Sequence, residues 1–94
     1  MMINVIREKG KLGGLTYRFN LAVREGRIGD AKSINDARYE LVSDYHTRLF
    51  LAMEESGNNP ITSRALGNTI LLMQHYQDVG EEISSGNFSD WGRR

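Results

Sequence analysis

The residues of this chain that could carry chemistry are few and scattered. The run Lys9-Gly10-Lys11-Leu12-Gly13-Gly14 sets two lysines among glycines, so backbone N–H groups with Lys9 and Lys11 could cradle a phosphate. Its spacing fits neither the P-loop G-x-x-x-x-G-K-S/T nor the dinucleotide G-x-G-x-x-G, and a flexible hairpin tip is the plainer reading. Arg18, Asn20 and Arg24, with Arg27 beyond them, are side-chain types that read guanine and adenine edges or meet an anionic surface. His46 and His75 are the only histidines, with Asp44 and Asp78 near them in sequence. No second histidine stands at helical spacing, so no metal site is expected and each reads as a boundary residue. Ser43, Asp44 and His46 contain the types of a hydrolytic triad, but all three would sit on one helix without the strained turn that exposes a nucleophile. There is no cysteine, hence no thiolate nucleophile, disulfide or Cys-type zinc site. The residues predict no enzyme and no cofactor.

These groups need elements to hold them. Ile3, Val5 and Ile6 read as a short strand ahead of the glycine-rich turn. Leu15, Tyr17, Phe19, Leu21 and Val23 then alternate without a break, the period of a strand with one buried face, leaving Arg18, Asn20 and Arg24 on the other. A helix competes, because Leu15, Phe19, Ala22 and Val23 also share a helical face. The two aromatics and the unbroken alternation favour the strand. Gly26 and Gly29 mark Glu25 to Lys32 as a loop.

A helix is predicted from Ser33, a good N-cap with Asp36 three residues on, to Gly57, a natural C-terminal stop. Its apolar arc is wide, with Tyr39, Val42, His46, Phe50 and Met53 extending it to one side. One packed neighbour needs only about 100° of arc, so this helix should have two contact surfaces. Asn59-Pro60 opens a second helix, whose stripe Ile61, Ala65, Thr69, Leu72, Tyr76, Val79 and Ile83 alternates steps of four and three. Ser85-Gly86 ends it. The short connection makes the two helices antiparallel.

The expected architecture is therefore α+β, a single domain. A basic, glycine-rich β-hairpin or ribbon over residues 1–32 precedes an antiparallel helical hairpin, 33–57 and 60–85, and an aromatic tail, 86–94. Residues 1–32 hold seven basic and three acidic side chains, a net +4, and residues 33–94 hold five and nine, a net −4. The zero total excludes a chain basic throughout that coats nucleic acid, and an acidic DNA mimic. No apolar run is long enough to span a membrane, and Met1 to Lys11 lack the apolar core of a signal peptide. A cytoplasmic protein without membrane contact is expected. At 94 residues and 39% hydrophobic content the core is small, and self-association is a common way to complete it.

The function most consistent with this is a non-enzymatic protein-binding module, of the kind small bacterial or phage accessory proteins supply, expected as a homodimer with Tyr39, Phe50, Met53, Phe88 and Trp91 as its apolar interface. Arg18, Asn20, Arg24 and Arg27 would form a basic partner-binding face. The alternative is a DNA-binding regulator. The order strand, helix, helix is similar to that of ribbon-helix-helix proteins, which read the major groove with a paired ribbon, though a longer first helix and a glycine-rich loop set this chain apart.

Overall fold

The described residues form three helices in an up-down-up path: α1 (Val5–Arg24), α2 (Ile28–Ser56) and α3 (Pro60–Ser85). The computed structural model describes residues 5–57 and 59–86, with side chains from residue 9 onward. There is no strand among the described residues, so the α+β expectation and its N-terminal β-hairpin give way to an all-helical bundle. The helical hairpin, here α2 and α3, stands.

The physical reason lies in residues 15–24. Tyr17 should be inside a strand, yet it is 70% exposed, while Ala22, placed on the polar strand face, is fully buried. What is covered is the helical set: Phe19 and Ala22, with Leu15 and Val23 packed against them. An alternating run can serve a sheet only if other strands pair with it, and none of the described residues does so. The glycine-rich run lies inside α1. A Cβ built on Gly10, Gly13 or Gly14 would meet nothing within 4 Å, so these glycines neither bend the helix nor admit a close neighbour.

The turn after α1 is tight. Gly26 is left-handed at φ 76°, the Gly26 N–H donates to the Val23 carbonyl at 3.1 Å, and the Arg27 N–H to that of Ala22 at 2.8 Å. That pair is a Schellman closure, which ends a helix and reverses the chain. α2 then starts at Ile28 rather than at Ser33, without a side-chain cap. The Arg27 side chain instead bonds Asp30 at 2.8 Å and Glu25 at 3.0 Å, and these two bonds, Asp30 first, raise its guanidinium further above its ordinary range. α2 ends at Gly57, φ 80°. α3 opens as its capping residues demand: Asn59 Oδ1 accepts the Ile61 N–H at 2.9 Å, Pro60 takes the first position, and Gly86 closes the far end in the left-handed region.

α2 is the spine. It packs against both α1 and α3, while α1 and α3 barely touch. At 1.5 Å per residue its 29 residues run about 43 Å, close to the 46 Å long axis of the molecule. α1, with 20 residues, reaches only about 30 Å by the same rise. Phe19 and Ala22 of α1, Ala31 and Ile34 of α2, and Val79 and Ile83 of α3 form the core. All six lie toward the end where α1 turns into α2. No helix among the described residues is long and apolar enough to cross a membrane.

Candidate binding groove

The stripe of α3 explains where the molecule is unfinished. It runs through Ile61, Ala65, Thr69, Leu72, Tyr76, Val79 and Ile83, one continuous line on the helix surface. Its C-terminal half is covered: Tyr76, Val79 and Ile83 are buried. Its N-terminal half is covered less completely: Thr69 is buried, but Ala65 and Leu72 are only partly buried and Ile61 is 80% exposed. At the core end, side chains of α2 fill the space between α1 and α3; toward the other end that space is open. Between them lies a groove of about 390 Å³. Leu41, Val42 and Tyr45 of α2 form its floor, Lys9 and Leu12 of α1 one wall, and Ile61, Arg64, Ala65, Asn68, Thr69 and Leu72 of α3 the other. This is the size and apolar character of a binding cleft.

The floor is held by polar pins. Thr69 is buried and donates its hydroxyl to the Leu66 carbonyl at 2.7 Å. The same hydroxyl is hydrogen-bonded to His46 Nδ1 at 2.7 Å. That bond ties α2 to α3 beneath the groove. Its hydrogen bond goes to Thr69, whereas Asp44 pairs with Arg48 at 3.2 Å and the Ser43 carbonyl accepts from Thr47. No group of three or more metal-ligating side chains occurs among the described residues.

Deeper toward the closed end, Arg38 of α2 fills the gap between the outer helices. It is 4% exposed. Its guanidinium carbon lies 4.0 Å from the centre of the Phe19 ring of α1 and 4.5 Å from that of Tyr76 of α3. One N–H donates to Asn35 Oδ1 at 2.8 Å, and Asn35 Nδ2 donates to the Tyr76 carbonyl at 2.9 Å. Arg38 Nε is buried without a partner, and none of the described carboxylates reaches it. Burial pushes the Arg38 guanidinium below its ordinary value and the Tyr76 phenol above its own.

The other sequence-singled residues are dispersed. Lys9 faces this groove, while Lys11 lines a hollow on the other side of α1 with Arg18 and Glu40. The two lysines, two positions apart on a helix, point in nearly opposite directions and do not converge on one phosphate. Arg18 and Asn20 are likewise split by the helical turn, though both are exposed, as is Arg24. Arg27 sits in the turn, paired with Glu25 and Asp30. Tyr39 is half-buried, accepting from Gln77 at 3.4 Å, and lines a wide acidic hollow between α2 and α3 with Asp36, Glu40 and Glu81. Met53 is half-buried and Phe50 is 51% exposed. Phe88 and Trp91 lie outside the described residues. Leu12, Leu41 and Arg64 were not singled out by the sequence; the signal that could have found the groove was the length of the α3 stripe beside the shortness of the elements able to cover it.

No family model, curated protein or solved structure matches this chain.

Proposed function

We propose that this chain is a non-enzymatic protein-binding module and that the groove between α1 and α3 is where it binds. The observation that carries this reading is the half-covered stripe of α3. An apolar line built to the period of a packed helix runs on from buried Tyr76 through partly buried Leu72 and Ala65 to an Ile61 that is 80% exposed. In a domain this small, leaving that surface in water is a sizeable fraction of its stability. A helix laid between α1 and α3 would cover it and complete a four-helix arrangement. The DNA-reading alternative loses its ribbon with the strand, and its side chains Arg18 and Asn20 fall on different sides of α1.

The test is site-specific photocrosslinking in the native cells. Benzoylphenylalanine replaces Asn68 in the groove wall, or Thr47 on the exposed side of α2. Crosslinking of a discrete protein from position 68 and not from 47 is the expected result. Equal products from both positions, or a product from 47 alone, would refute the groove as the binding face.

A further inference from the structure

We infer that the groove takes an acidic amphipathic helix of another protein; this rests on the groove being the binding face. Charge complementarity names the partner. Lys9 stands on the α1 wall and Arg64 on the α3 wall, so a cation flanks the apolar floor on each side. No acidic residue among the described side chains lines the groove, and no described carboxylate pairs with Lys9 or Arg64. The other two hollows are different: Asp36, Glu40 and Glu81 line one, and Glu40 offsets Lys11 and Arg18 in the other. The occupant that suits the groove has an apolar stripe for Leu12, Leu41, Val42, Tyr45 and Leu72, with carboxylates along both flanks. From Ile61 to Leu72 the wall is about 16 Å long by helical rise, the span of three helical turns. Leu71, 65% exposed, follows Arg64 by seven residues and extends the rim with apolar surface.

A second copy of this chain fits less well. Its apolar, acid-flanked segment is Phe50-Leu51 with Glu54 and Glu55, exposed on α2. Phe50 follows Leu41 by nine residues and Leu51 follows Val42 by nine, two and a half turns, so this segment faces away from the floor of the groove. A two-fold dimer needs groove and insert on one face, and opposite faces would give open-ended chains.

The experiment uses two labelled helical peptides of four turns. Both carry leucine at steps of three and four; one has Glu on the flanking positions and the other Lys. Binding to the full chain is read by fluorescence anisotropy at low salt, and each variant is checked by circular dichroism and a thermal melt. The acidic peptide should bind about tenfold more tightly than the basic one, as two partly exposed ion pairs switched from attraction to repulsion would give. The double change Lys9→Glu and Arg64→Glu should reverse the order. Ala65→Arg, or Asn68→Trp should the first not fold, should abolish both. Equal binding of the two peptides, blocked by Ala65→Arg, would overturn the acidic partner while keeping the groove. Binding by neither peptide, or binding that the blocking variants leave intact, would overturn the groove as well. A wild-type dimer in sedimentation that Ala65→Arg converts to monomer would overturn the inference in favour of a second copy.

Discussion

Exchanging Arg38 for lysine should harm this protein more than exchanging it for methionine. The guanidinium has left water without meeting a carboxylate among the described residues. It is held instead by two aromatic faces, at 4.0 and 4.5 Å, and one hydrogen bond to Asn35. Removing the charge with Arg38→Met recovers a desolvation cost of several kcal/mol and abolishes the unpartnered Nε. Against that stand two cation–π contacts of about 0.5–2 kcal/mol each and a stranded Asn35 Oδ1, about 1–3 kcal/mol. Methionine fills similar space, so these offset to within about 2 kcal/mol of wild type. Arg38→Lys keeps the charge and its desolvation cost but replaces a planar, weakly hydrated fork with a compact ammonium that wants three acceptors. Asn35 Oδ1 offers one. A loss of about 3–5 kcal/mol is expected, the cost of an uncompensated buried charge. Urea unfolding followed by helical circular dichroism at pH 7 measures both, with equal m-values as the check on two-state behaviour. A lysine variant as stable as the methionine one, or more so, would refute the reasoning.

Three further outcomes follow from the same geometry. Gly13→Ala should stabilise the fold by about 0.5–1 kcal/mol, because a Cβ there meets nothing; a lower melting temperature would mean that face of α1 is covered in solution. Ile83→Ala, in the core, should cost about 2–5 kcal/mol, and Leu72→Ala, on the groove wall, clearly less; calorimetric melts that rank them the other way would misplace the core. Stability should fall as pH rises above about 10, because the unfolded chain then releases the Tyr76 proton that the buried phenol keeps; melts from pH 7 to 11 should show a shallower alkaline loss in Tyr76→Phe, and an identical slope would exclude Tyr76 as a source.

The helical hairpin was legible because its signals are local. Asn59-Pro60, Gly57 and Gly86 act through their own backbone, and the α3 stripe keeps helical period throughout. Residues 15–24 were not, because Leu15, Phe19 and Val23 satisfy both periods at once, and only the burial of Ala22 beside exposed Tyr17 separates them. Gly10, Gly13 and Gly14 misled for a related reason: glycine lowers helix propensity by an amount that packing of Leu15, Phe19 and Ala22 outweighs. Gly29 disguised the start of α2, which a Schellman closure at Gly26 sets. The groove could not be read from local pattern, since it depends on how α1 and α3 are placed on either side of α2. Nothing in the local sequence marks Arg38; only the convergence of Phe19 and Tyr76, far apart along the chain, makes it an interior residue.

Amide hydrogen exchange on the free protein tests that geometry most directly. Local opening is cheapest where little apolar surface is covered. If α3 is packed more fully along its C-terminal half, amides from Arg64 to Leu72 should exchange ahead of those from Tyr76 to Ile83, and Leu41 to Tyr45 on the groove floor ahead of Ala31 to Asn35. Uniform protection along α3 would contradict the account, because it would mean the groove is already filled.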